Sequence, residues 1–259
     1  MFQIKRILFP IDFSPRCLGA AAYAEAFAGR FDAELILLHV IEPITYNSLL
    51  AEMELIRPEA FDRFLGTGLR HLRVQRIVQH GEAARKIVEC AAARQVDLIM
   101  LPTQGQGIFR RLLLGSTAAK VLHDADCPVW TGVHLEDAKS LDAISCKRVV
   151  CAVDLNGSSS RVLRWAHHVA EEYQAELTLV HAGPASAIEA LARLQESIGS
   201  RAVSRVEEGE PAKVIAALAQ ELQADLLVIG RKGSAGIRGR LEMTAYSIIR
   251  ESPCPVVSV

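Results

Sequence analysis

The sequence predicts an α/β protein built from two tandem open-sheet domains, each a mainly parallel sheet with helices on both faces. Three observations carry that expectation. The 259-residue chain repeats itself almost from end to end. Short apolar runs of strand length alternate with longer helical stretches in both copies. The first apolar run also leads directly into a helix-start signal.

The repeat decides the domain count. KRILFPID (5–12) recurs as KRVVCAVD (147–154), and DAELILLHV (32–40) recurs as QAELTLVHA (174–182). Asp12 and His39 are 27 residues apart, as are Asp154 and His181. GEAARKIVECAAARQVDLIML (81–101) matches GEPAKVIAALAQELQADLLVI (209–229), and DCPVW (126–130) matches PCPVV (253–257). The offset between copies falls from 142 to 128 between the middle blocks, so the second copy lacks about 14 residues from within 41–80. The expected domains are 1–134 and 146–259, joined by a short polar linker near 134–146.

In the first copy, Ile7–Ile11 reads as a strand buried on both faces. Ser14-Pro15 supplies an N-cap and a first-turn proline for a helix over 15–29, expected to end near Gly29. A strand at 34–40, a helix near 48–65 and a strand near 74–79 follow. Gly81-Glu82 leads into a helix over 83–94, then a strand at 97–101. A glycine-rich loop, a helix near 116–124 and a strand near 128–133 complete the copy. The second copy has expected strands near 148–153, 176–181, 202–206, 225–229 and 255–259. Sheets of this kind take ligands beyond the carboxyl ends of their strands, where strand order reverses.

Composition narrows the function. Aromatic residues make up only 5%, so the core is mostly Leu, Val, Ile and Ala. A net charge of −1 argues against a general nucleic-acid binder, which carries a basic field. No apolar run reaches the ~18–20 residues of a membrane span, and the N-terminal apolar run is too short for a secretion signal. A cytoplasmic protein is expected, with no membrane or nucleic-acid partner. Its six cysteines then read as reduced thiols, and they lack the CxxC spacing of a metal site.

The loop PTQGQGIFRRLLLGST (102–117) is the main candidate for chemistry. It is not a Walker loop, because no Gly-Lys-Ser/Thr step occurs. Gly105-Gln106-Gly107 is only GxG and follows the fourth strand, so it is not a dinucleotide fingerprint. Gly115-Ser116-Thr117 at a helix start offers backbone N–H groups and two hydroxyls to an anion. The alternative is that Gly115 eases a turn while Ser116 or Thr117 caps the helix. Arg110 and Arg111 either meet phosphate oxygens or lie on a solvated face. Asp12, at the carboxyl end of the first strand, either meets a base or ribose or orients the first helix turn beside Ser14. His39 and His181 recur without a partner visible in the sequence, and read as structural. Cys127-Pro128 and Cys254-Pro255 place proline where a strand begins.

These residues resemble the universal stress protein family in its tandem two-domain form. The family pattern is G-x2-G-x9-G-[S/T] after the fourth strand, an Asp after the first, and an HV-type end to the second. Here the first copy reads Pro102-x2-Gly105-x9-Gly115-Ser116, with Pro10-Ile11-Asp12 and His39-Val40. The resemblance implies five parallel strands per domain in the order 3-2-1-4-5. It implies domain pairing through the last strands, a possible homodimer, unidentified protein partners, and a stress-response sensor or scaffold rather than an enzyme. Many members of that family bind ATP and others do not, and here ATP, with Mg possible, is expected in the first domain only. Asp12 and Val40 would hold the adenine. Leu101 to Gly105 would pass the ribose and first phosphate, and Gly105, Gly115, Ser116 and Thr117 would hold the remaining phosphates. Two departures stand out. Pro102 replaces the first glycine and has no N–H. In the second copy Gly230 and Gly233 remain, but Met243 or Glu242 stands at the third glycine, so that half is expected to be degenerate. The competing reading is an interaction module that binds no nucleotide, and a slow ATPase is the third.

Overall fold

The computed structural model describes residues 3–42, 61, 65, 68–103, 114–132, 144, 146–231 and 243–259. The helix expected near 48–65 falls almost wholly outside the described residues, as do Gly105, Arg110, Arg111, Gly233, Glu242 and most of the linker.

The first half contains β1 (Arg6–Pro10), α1 (Pro15–Phe31), β2 (Glu34–Ile41), β3 (Val74–His80), α2 (Ala83–Ala93), β4 (Leu98–Pro102), α3 (Ser116–Asp124) and β5 (Val129–Gly132). Its strand order is β3-β2-β1-β4-β5. β1 lies between β2 and β4, parallel to both, with Arg6 opposite Glu34 and Ile7 opposite Leu98. Central strands in such a sheet are covered on both faces and need continuous apolar sequence. RILFP and LIMLP meet that need, and every residue of β4 is buried.

The second half repeats the plan with β6 (Arg148–Ala152), α4 (Ser159–Tyr173), β7 (Glu176–Ala182), α5 (Ile188–Glu196), β8 (Val203–Glu207), α6 (Pro211–Glu221), β9 (Leu226–Ile229), α7 (Met243–Glu251) and β10 (Val256–Ser258). β6 pairs with β7 and β9, β7 with β8, and β9 with β10, all parallel. Contacts divide the chain into two compact units. One is Gln3–Val129 with His134–Ile144, and the other includes Trp130–Val133 and Ser145–Val259.

Helix starts follow local chemistry. Ser14 is in an extended conformation and its hydroxyl accepts from the Cys17 N–H at 3.2 Å, with Pro15 in the first turn. α1 does not stop near Gly29. It continues to Phe31, because Asp32 adopts the left-handed conformation (φ 47°, ψ 42°) and Ala33 N–H returns to the Ala28 carbonyl. α4 ends identically, with Gln174 at φ 52° and Ala175 bonded to Ala170. Glu82 caps α2 and Glu210 caps α6 through backbone N–H groups. Gly81 (φ 139°) and Gly209 (φ 150°) precede these caps in conformations that side chains rarely adopt.

A carboxylate ties the two central strands together at their amino ends. Asp97 Oδ2 accepts from the Lys5 and Arg6 N–H groups at 2.8 and 2.9 Å. Asp225 Oδ2 does the same for Lys147 and Arg148, at 2.8 and 2.9 Å. The duplicated geometry marks it as part of the fold's construction.

Candidate functional site

The strand order of the first half reverses between β1 and β4, so its crevice opens at their carboxyl ends. β1 delivers Asp12 there, β2 delivers Val40, β4 delivers Leu101, and α3 begins there with Ser116 and Thr117.

Asp12 does orient the first helix turn: its Oδ1 accepts from the Ser14 N–H at 2.9 Å. The serine cap and the aspartate act in series, so a cap at Ser14 does not release Asp12 from a structural role. Phe13, between them, is left-handed at φ 58°. A bulky residue in that conformation is held by its surroundings. Its ring meets His39 edge-on at 4.8 Å and Phe61 at 5.7 Å. Leu155 takes the same φ of 58° after Asp154. Asp154 Oδ1 accepts from Asn156 N–H at 3.2 Å and from the Ser159 hydroxyl at 3.1 Å.

His39 and His181 are tethers. Nδ1 of His39 donates to the Ile11 carbonyl at 2.7 Å, and Nδ1 of His181 donates to the Val153 carbonyl at 2.8 Å. A carbonyl only accepts, so Nδ1 carries the proton in both rings. Each histidine ties the end of the second strand of its half to the segment that leaves the first. The sequence shows two recurring histidines but not their partners, because the partner is backbone.

Val40 sits half-buried at the end of β2, opposite Gln79. Leu101 is 4% exposed, so its side chain belongs to the core. Pro102 closes β4 and is also buried. Gly115 differs from expectation in two respects. Its N–H donates to the Thr103 carbonyl at 2.7 Å, which closes the base of the loop and leaves that N–H engaged. Its backbone is extended (φ −61°, ψ 150°), a conformation open to any residue. The backbone here therefore does not itself require glycine.

Among the described residues, no side chain caps α3. The Gly115 carbonyl accepts from Ala119 N–H at 2.9 Å, so the helix starts cleanly while the Ser116, Thr117 and Ala118 N–H groups precede its first bond. Ser116 is exposed and Thr117 half-buried. The described part of α7 runs from Met243 to Glu251. Counted back from Cys254 as Ser116 is from Cys127, Met243 lies opposite Ser116 in sequence. Met243 is 86% exposed and brings no hydroxyl. Sequence reasoning gave no weight to Arg231, which occupies the place of Thr103 and is 3% exposed, its N–H bonded to the Val259 carbonyl at 3.1 Å.

Among the described residues, no group of three His, Cys, Asp or Glu side chains could hold a metal ion. No helix there is long and apolar enough to cross a membrane. None of the six cysteines is in a disulfide.

The universal stress protein family model matches residues 3–131, 145–202 and 185–259. The chain belongs to the universal stress protein family, and carries it in tandem. A universal stress protein of Mycolicibacterium smegmatis is 26% identical over 290 residues, covering 98% of this chain and 96% of that protein. Universal stress protein MJ0531 of Methanocaldococcus jannaschii is 32% identical over 135 residues, 48% of this chain and 79% of that protein. Among solved structures, a universal stress protein from Archaeoglobus fulgidus superposes with a TM-score of 0.81 at 24% identity, covering 99% of this chain and 98% of that one. That likeness concerns the fold.

Proposed function

We propose that the first half of this universal stress protein binds ATP, with Mg possible, and acts as a sensor or scaffold with little hydrolysis. The observation that carries this reading is the uncapped start of α3 at the carboxyl end of β4. Its first-turn N–H groups and the Ser116 and Thr117 hydroxyls would hold the phosphates at the crevice where strand order reverses. Asp12 and Val40 flank the crevice from β1 and β2 and would hold the base. Gly105 would complete the phosphate cradle. The second half is the weaker candidate, because Met243 replaces Ser116.

One specific pair of observations favours a module that docks partners without nucleotide. Pro102 has no N–H, and the Gly115 N–H is already bonded to Thr103. Calorimetric titration with Mg-ATP separates the two readings. Saturable binding at one site per chain, lost in Gly115→Trp/Ser116→Asp, supports the nucleotide reading. An absence of heat into the millimolar range supports the docking module. Steady-state phosphate release is expected to stay below about one turnover per minute. Faster release that vanishes in the same variant would make the protein an ATPase.

A further inference from the structure

The opposite, amino-terminal edge of the first half holds a cleft of about 480 Å³, lined by Arg6, Glu34, Ile36, Gln75, Arg94 and Gln95. Two guanidinium groups face it. Arg6 Nη1 donates to the Arg94 carbonyl at 2.9 Å, and its Nε lies 3.7 Å from Glu34 Oε2. Arg94 Nη1 donates to Gln75 Oε1 at 2.6 Å. A guanidinium has five N–H donors, so both keep donors that these contacts do not use. The Arg6 contact also covers a carbonyl at the C-terminal end of α2, which would otherwise repel an anion.

The second half shows which of these residues the fold requires. It keeps Arg148 for Arg6, Glu176 for Glu34 and Gln223 for Gln95, together with the Asp225 clamp. It replaces Arg94 by Leu222 and Gln75 by Val203, through the same offset of 128. The same α/β plan is therefore built without the Arg94–Gln75 bond. A second, hydrogen-bonded guanidinium in the cleft is particular to the first half.

We propose that this cleft binds a small molecule through a phosphate or carboxylate group held by Arg6 and Arg94, with the Gln75 and Gln95 carboxamides contacting its neutral part. Among the lining residues two arginines stand against one carboxylate, Glu34, while the Asp97 carboxylate beside them is held by the Lys5 and Arg6 backbone N–H groups. Planar guanidinium forks match both oxyanions in two-point contact. The volume suits a small metabolite. The site is separate from the nucleotide crevice, at the other end of the same strands, and does not depend on it.

The test is calorimetric titration of the full chain with inorganic phosphate, pyrophosphate and succinate, with sodium chloride as control. It is repeated in Arg94→Leu, the residue that the second half carries at this position. Saturable binding of at least one of the three is expected, weakened about tenfold or more in Arg94→Leu, the loss of one charge-assisted contact pair. A preference for phosphates or for succinate assigns the chemistry. Gln75→Val, which leaves both charges in place, should weaken binding less. Thermal melting confirms that each variant folds, and Arg94→Gln replaces Arg94→Leu if that one does not. No saturable binding of any probe, or unchanged affinity without Arg94, overturns the proposal. So does binding lost in Gly115→Trp/Ser116→Asp and kept in Arg94→Leu, which would place the anion at the opposite edge.

Discussion

The tethers made by His39 and His181 illustrate how much one side chain can settle. Each ring nitrogen satisfies a main-chain carbonyl where the chain leaves a central strand, and Ile11 itself is only 3% exposed. Removing the donor leaves that carbonyl buried and unsatisfied, which costs ~1–3 kcal/mol. His39→Ala and His181→Ala are each expected to lower stability by that amount in urea unfolding, whatever the protein binds. A second residue, Glu25, makes stability depend on pH. Burial raises its carboxyl above the ordinary carboxylate range, and His71, 3.9 Å away, pulls it back part of the way. The folded value is above the unfolded one, so the contribution is fully present below the unfolded value. It is lost as pH rises through the folded value. Glu25→Gln does not ionise. It is expected to reduce the loss of stability as pH rises through the carboxylate range, read from urea midpoints at about pH 4 and pH 7.

At the level of single elements, helix ends are where stability and candidate function separate. Ser14 is 4% exposed and holds the Cys17 N–H, so Ser14→Ala should cost ~1 kcal/mol. α3 has no comparable side chain at its start. An acid introduced there meets the positive end of the helix and should stabilise it by ~0.5 kcal/mol. Ser116→Asp is therefore expected to raise the melting temperature slightly while abolishing Mg-ATP binding. A variant that loses binding together with stability would point to damage rather than to a displaced phosphate. The duplicated clamp belongs to this scale as well. Asp97→Ala frees two strand N–H groups and should destabilise more than Ser14→Ala does.

Across the whole molecule, the thiols show how thoroughly the two units bury their small residues. Five of the six cysteines are buried, all but Cys127. Burial is the largest influence on each of them. It pushes Cys146 up to about 12 and Cys254 up to about 11, and it raises Cys17, Cys90 and Cys151 as well. Thiols held above their ordinary range stay protonated at neutral pH and react slowly. A thiol-disulfide reagent is expected to modify Cys127 first in the folded protein and all six cysteines after unfolding. Cys127→Ser should remove the fast phase. Fast modification of Cys146 or Cys254 would mean that the amino-terminal edge of the second half opens on the time scale of the reaction.

Strand and helix existence could be read from the sequence because periodicity and capping act over a few residues. RILFP, LIMLP and Ser14-Pro15 carry their outcome locally, and the repeat announces two copies before any contact is known. Asp12, Val40, Ser116 and Thr117 could be placed at strand ends and a helix start for the same reason. What only the tertiary structure decided involves partners distant in the chain. The bond from Gly115 to Thr103, the burial of Leu101, the carbonyl acceptors of the histidines and the pairing of Arg94 with Gln75 are examples. α1 also ran past Gly29, because Asp32 rather than the glycine took the left-handed turn. Local chemistry determined which elements this chain builds. The convergence of strands and helices in space determined which N–H groups, carboxylates and guanidinium groups are already engaged and which face a ligand.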